Sequence, residues 1–310
     1  MAAVIRPGWS KPRTILLASE IPANKKVFAL ALAQAVKFGA ELILFHAYDT
    51  LGASASETSR TRSFDYASAA RFEMQHLEPQ AQQVREAGVP CEIVVRPGLA
   101  ADQILTFLSE REVDRIVMGT RSPGPVGKLL FGSVAEAVLR TAKVPVCIVG
   151  PNAVGGARHN FAPRTILCAV SFLGSSYLVV KFAAELAAQH HARLTLQHVI
   201  WPKERAEVLA NRSINQIKSD LVSMVPAKIQ GKIAFETIVV SGDPAEEVLH
   251  QGLARQADLI LLGARSASVF AAISRQGVVY KVVAHAHCPV ITLHTNYSLM
   301  LAFKCVTFVD

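Results

Sequence analysis

The residues best equipped for chemistry follow the apolar run Ile116-Val117-Met118. They are Gly119-Thr120-Arg121-Ser122, then nine residues, then Gly132-Ser133 opening the helical stretch SVAEAVLRTA. A glycine at a strand end lets the backbone bend and come close to a ligand. A glycine–serine pair at a helix start presents backbone N–H groups and a hydroxyl where the helix dipole favours an anion such as phosphate. The same residues also read as a turn glycine and an ordinary N-cap.

Three rival patterns fail on spacing. Gly127-Lys128 is followed by Leu129, so the P-loop G-x-x-x-x-G-K-[ST] is not met. No G-x-G-x-x-G opens a helix after the first apolar run, and no G-x-S-x-G nucleophile elbow occurs. Adenylating-ligase loops are missing too, since SEIPANK and SFLGSSY stand where they belong.

Other constellations have plainer readings. His285-Ala286-His287-Cys288 has zinc-ligand residue types, but it matches Thr141-Ala142-Lys143-Val144, an ordinary turn from helix to strand. No second cysteine pair accompanies it, so no metal is expected, and these histidines read as helix-end residues. His190-His191 reads the same way. His46 and His198 end apolar runs, where a ligand contact and a structural hydrogen bond are both open. Glu246-Glu247 open a helix and offset its dipole. Residues 51–63, LGASASETSRTRS, form a small, polar, unperiodic loop.

The elements that must position these groups come in two copies. RTILLASE (13–20) reappears as RTILCAVS (164–171), and ELILFHA (41–47) as RLTLQHV (193–199). Between them lie the alanine-rich stretches VFALALAQAVKFGA and LVVKFAAELAAQHHA. CEIVV (91–95) matches ETIVV (236–240), DRIVMGTRS (114–122) matches DLILLGARS (258–266), and VPVCIV (144–149) matches CPVITL (288–293). Six matches in one order, offset by roughly 150 residues, imply tandem copies of one unit. Each copy alternates Ile/Leu/Val runs with helical-period segments. Runs without clean polar alternation are strands covered on both faces, hence an α/β fold with a parallel sheet. The fold class is two tandem doubly wound units, each with five parallel strands and helices on both faces. The expected boundaries are 13–150 and 164–295, with a Gly/Pro/Asn-bearing linker at 151–163 and a tail at 296–310. In such sheets ligands bind beyond the carboxyl ends of the strands, where the strand order switches.

Composition narrows the partners. The chain of 310 residues is 51% hydrophobic and 18% charged, which excludes a disordered chain. The charge is +3 (17 − 14) through residue 150 and +5 (15 − 10) after it, with no basic run longer than two residues. That thin spread argues against a nucleic-acid groove. The five cysteines are scattered with no C-x-x-C, which fits a reducing cytoplasm. MAAVIRPGWSKPR lacks a signal-peptide apolar region, and no run reaches the ~20 apolar residues needed to span a bilayer, so no membrane is expected. The tail YSLMLAFKCVTFV reads as a strand or packing segment.

On these motifs the chain resembles two tandem universal stress protein units. ATP-binding members of that family carry G-x2-G-x9-G-[S/T] after the fourth strand and an aspartate after the first. Copy one matches at Gly119, Gly132 and Ser133, and departs at Ser122 and Glu20. The resemblance implies that Ala18, Ser19 and Glu20 face adenosine and that Ala47 lines the base pocket. It places Gly119, Gly132, Ser133 and Val134 around the phosphates, with Arg121 and Lys128 near enough in sequence to add charge, Ser122 able to offer its hydroxyl to a phosphate, and Met118 among the nucleotide-binding residues. It also puts the 51–63 loop beside the nucleotide, where Arg60 and Arg62 can close on phosphates. In copy two, Gln276 and Gly277 take the places of Gly132 and Ser133, and Ser171 replaces the carboxylate, so no nucleotide is expected there. The implied ligand is ATP or another adenine nucleotide with Mg²⁺. The implied role is regulatory or protective in stress, with slow ATP hydrolysis at most, and no catalytic residue is evident. A non-nucleotide interaction module is the alternative. The family also implies that the two halves pair through VCIV and VITL as an internal pseudo-dimer, with a homodimer of whole chains as a further arrangement.

Overall fold

The computed structural model describes residues 9–21, 23–48, 66–120, 132–153, 161–172, 176–265 and 277–295. The loop at 51–63, Arg121, Ser122, Lys128, Gln276 and the tail from 296 lie outside the described residues. Copy one runs β1 (Thr14–Ala18), α1 (Lys25–Phe38), β2 (Glu41–Tyr48), α2 (Tyr66–Glu86), β3 (Cys91–Pro97), α3 (Ala100–Glu110), β4 (Arg115–Gly119), α4 (Ser133–Thr141) and β5 (Val146–Val149). Copy two opens with β6 (Thr165–Ala169), α5 (Ser176–His190) and β7 (Arg193–Ile200). Three short helices follow, α6 (Arg205–Asn211), α7 (Ile214–Ser223) and α8 (Ala227–Gln230). The chain then continues through β8 (Phe235–Ser241), α9 (Pro244–Ala254), β9 (Leu259–Arg265), α10 (Val278–His285) and β10 (Val290–Thr295).

The strands form one ten-stranded sheet in the order β3-β2-β1-β4-β5-β10-β9-β6-β7-β8. Within each half all pairs are parallel. β5 and β10 pair antiparallel, with Cys147 opposite Ile291. Alternate strand residues feed two cores, which is why the runs carry no polar alternation. Ile15, Leu17, Leu42 and Leu44 pack under α1 and α2, and Leu16, Ile43, Ile116 and Ile148 pack under α3 and α4. The alanines of α1 and α5, such as Ala31, Ala35, Ala183 and Ala187, are wholly buried and let these helices lie close to the sheet. α1 starts on an Asn24 side-chain cap and stops at Gly39, whose φ of 62° suits glycine.

The sequence match at the outer strands needs correction. Cys91 pairs with Leu42 and Phe235 with Leu194, so CEIVV aligns with FETIV, one residue off the match by letter. β3 and β8 are half-buried edge strands, where hydrophobic identity constrains register weakly.

Candidate functional site

The order of copy one reverses between β1 and β4, and both strands end side by side there. Ala18 pairs in register with Met118, and both are buried. Ser19 follows half-buried and Glu20 exposed. The Ser19 N–H donates to the Phe45 carbonyl at 3.5 Å. His46 Nδ1 donates to the Ser19 carbonyl at 3.2 Å, so the histidine ending β2 latches the chain leaving β1. That is the structural hydrogen bond left open by sequence. Ala47, half-buried on β2, shares the face covered by α3 with Ala18 and Met118.

β4 ends at Gly119, whose imagined Cβ would stand 3.0 Å from Val27 Cγ2 of α1. A side chain here would have to push the Val27 methyl aside. Thr120 follows, its N–H bonded to the Val149 carbonyl at 3.3 Å. Its hydroxyl oxygen is buried and has no hydrogen-bond partner among the described residues. Sequence reasoning passed over Thr120, because a threonine after a strand carries no signal of its own.

α4 begins at the same edge, because it runs back from the end of β4 to the start of the parallel strand β5. Gly132 is its N-cap in extended conformation and brings no side chain to satisfy the first N–H groups. Ser133 is exposed and Val134 half-buried on the first turn. The described candidates Ala18, Ser19, Glu20, Ala47, Met118, Gly119, Gly132, Ser133 and Val134 thus belong to one sheet edge. A helix start whose N-cap offers no side chain, at the same edge as the ends of β1 and β4, suits an anion.

Copy two repeats the frame and fills it differently. His198 Nδ1 donates to the Val170 carbonyl at 2.8 Å, the counterpart of the His46 latch. Burial holds the His198 imidazole below its usual value, reinforced by Arg212 and opposed by that carbonyl bond. Phe172, with a φ of 56°, lies edge-on to His198 at 4.7 Å, and the Arg212 guanidinium stands 5.4 Å from its ring. Aromatic and guanidinium bulk therefore crowds the edge beside Ser171. α4 and α10 end at equivalent alanines, Ala142 and Ala286, but α4 has 9 residues and α10 has 8. Gly277, in the place of Ser133, has become the N-cap, so the hydroxyl is gone and the helix starts one residue later. Asp243 caps α9 by accepting from Ala245 and Glu246 N–H, and those bonds and Lys281 lower its pKa against burial.

Among the described residues no group of three or more His, Cys, Asp or Glu could hold a metal ion. His285 donates to the Lys281 carbonyl at 2.9 Å within its own helix end. His190 departs from the expected charged helix-end role. Its ring stands edge-on between Phe38 and Phe161, and neither ring nitrogen has a partner among the described residues. Burial first, then Lys37, Arg115 and His191, push its pKa down to about 4, so it is neutral at neutral pH. Also among the described residues, no helix is long and apolar enough to cross a membrane.

The sequence model of the universal stress protein family matches residues 12–150 and again 163–294. A universal stress protein of Thermus aquaticus, encoded beside a sulfhydrylase gene, is 36% identical over 143 residues, covering 44% of this chain and 98% of that protein. The crystal structure of a universal stress protein from Archaeoglobus fulgidus superposes with a TM-score of 0.69 at 19% identity, covering 93% of this chain and 97% of that one. A universal stress protein solved in complex with cAMP matches 43% of this chain and 98% of its own, at 22% identity and a TM-score of 0.35.

Proposed function

The chain belongs to the universal stress protein family as a tandem two-unit member, and from that premise we propose that copy one binds an adenine nucleotide at the β1/β4 edge. One observation carries the reading: the uncapped start of α4 at Gly132 shares that edge with the ends of β1 and β4. The buried Thr120 hydroxyl, without a partner among the described residues, fits a ligand oxygen there. Gly132 and Ser133 hold the phosphates by backbone N–H and hydroxyl, and Ala18 to Glu20 and Ala47 face the nucleoside. Magnesium arriving with ATP would supply charge neutralisation at the phosphates that Gly132 and Ser133 would hold. Copy two takes no nucleotide, since Phe172 and Arg212 crowd its edge and Gly277 lacks the hydroxyl. The role is regulatory or protective in the cytoplasm during stress, because binding alone lowers no barrier. Slow ATP hydrolysis is the most we assign.

The test is a melting series with and without millimolar ATP and Mg²⁺, on the parent and on Gly132→Gln/Ser133→Ala. A ligand at 100 times its Kd stabilises by about 2.7 kcal/mol. The parent should shift and the variant should not. An unshifted parent that also releases no nucleotide on denaturation leaves the non-nucleotide interaction module as the reading.

A further inference from the structure

Equivalent residues meet where the halves join. Cys147 of β5 faces Ile291 of β10. On the α1 and α5 side, Phe38 and His190, each three residues before the next strand, touch edge-on with ring centroids 5.8 Å apart. A pseudo-two-fold axis therefore passes between these pairs. Close to it the halves stop being alike.

Arg115, at the start of β4, is wholly buried. Its counterpart at the start of β9 is Leu259. Arg115 Nη1 donates to Gln34 Oε1 at 2.7 Å and Nη2 to the Trp9 carbonyl at 2.8 Å. Gln34 has Leu186 as its counterpart. The guanidinium stands 5.4 Å from the Phe38 ring and, across the join, 5.8 Å from Phe182 of α5. The residue in copy one equivalent to Phe182 is Leu30. Ser10 donates to Glu185 at 3.0 Å, whereas copy one has Ala33 in the place of Glu185. Among the described residues no carboxylate pairs with Arg115.

A buried cation without a carboxylate is tolerated only if hydrogen bonds and aromatic faces replace its hydration. Two copy-one halves would bury two guanidiniums, each over Leu30 instead of Phe182, and neither would offer Ser10 a carboxylate. Two copy-two halves would set His190 against His190, both poorly solvated. The unlike pair alone places one guanidinium between two phenyl rings. We propose that the join surface of copy one is built for copy two and against a second copy one, and that Arg115 decides this. The partner is a copy-two half, which the same chain supplies, so two copy-one halves of neighbouring chains do not pair through this surface. This inference is independent of nucleotide binding.

A protease site inserted at 154–160 of the full chain, cut after folding, yields both halves in equal amounts. Unfolding the cut sample in urea, diluting the urea away and weighing the assemblies by native mass spectrometry reads the pairing. The unlike pair should exceed either like pair at least tenfold. In Gln34→Leu/Arg115→Leu the ratio should fall toward random. Random proportions in the parent overturn the proposal, as does a double variant as selective as the parent. If the cut halves do not recover, hydrogen exchange on the uncut chain decides. Leu259→Arg, which adds a second guanidinium, should speed exchange in β5 and β10 at least tenfold over Leu259→Met, with β7 and β8 unchanged. No difference, or a rise spread over β7 and β8, overturns it.

Discussion

Gly150 passes so close to the backbone carbonyl of Val283 that a Cβ there would overlap the oxygen. Gly150 leaves β5 and Val283 lies in α10, so the contact fastens copy one to copy two. A backbone oxygen cannot swing aside as a side chain does. Gly150→Ala should therefore destabilise by about 2 kcal/mol, the range of overpacked sites, and lower the Tm by roughly 5 °C. Gly231→Ala is the control, because nothing lies within 4 Å of its imagined Cβ. There the Tm should hold or rise slightly, through the stiffer unfolded chain. Equal Tm values for the two variants would refute the close approach.

Asp114 binds the start of β1 by accepting the N–H groups of Arg13 at 2.8 Å and Thr14 at 3.1 Å. Asp258 does the same for Arg164 and Thr165, at 2.8 and 3.1 Å. Each latch ties the first strand of a half to the fourth from one carboxylate oxygen. Asp114→Ala or Asp258→Ala should each cost about 2–3 kcal/mol, since hydrogen bonds to charged groups are the stronger ones. The two losses should add within about 0.5 kcal/mol, because the latches hold different strands in different halves. Urea unfolding of the two single variants and the double variant checks both statements.

These latches show what the sequence makes legible and what it hides. The run DRIVMGTRS and its match DLILLGARS are one of six pairs that imply the repeat. The repeat implies five strands in each copy, because central strands must be apolar in both. Which strands lie side by side is set by packing that the runs do not record. The edge strands β3 and β8 misled by one residue because half-exposed positions tolerate either register. Gly119, Gly132 and Ser133 were legible as a strand end and a helix start because glycine and serine mark such positions. Thr120 was not, since a buried hydroxyl without a partner among the described residues leaves no mark in residue type. Nothing in residue type or spacing marks Arg115, an arginine beside an aspartate at the start of a strand. Only the packing of α1 and α5 over the join puts it at the centre.

His190 should make stability fall in mild acid. Its pKa is about 4 in the folded protein against 6.5 ordinarily, because burial and the nearby Lys37, Arg115 and His191 disfavour its charged form. Between those values the unfolded chain binds more protons. The contribution is thus full above about pH 6.5 and is lost as pH falls toward 4. After solvent screening it amounts to about 2 kcal/mol. His190→Phe, which keeps the edge-on packing against Phe38 and Phe161, should remove this component. The parent-minus-variant difference in unfolding free energy should shrink by that amount between pH 7 and pH 4. A difference that does not move with pH would place the imidazole in solvent.

Thr120 offers a two-sided prediction at the candidate site. Its hydroxyl oxygen is buried at the end of β4 without a partner among the described residues. An unpartnered buried hydroxyl costs about 1–3 kcal/mol. Thr120→Val keeps the shape and deletes the polar atom, so without ligand the variant should melt higher, by about 1 kcal/mol of stability. If the hydroxyl serves a nucleotide oxygen, the same variant should show a smaller ATP-dependent rise than the parent, with affinity lower by roughly tenfold for one lost hydrogen bond. The two effects have opposite signs in one protein, which separates a ligand role from a general loss of folding. A variant that melts lower without ligand would show that the hydroxyl already has a partner in the protein, and one that keeps the parent's full ATP response would show that Thr120 takes no part in binding.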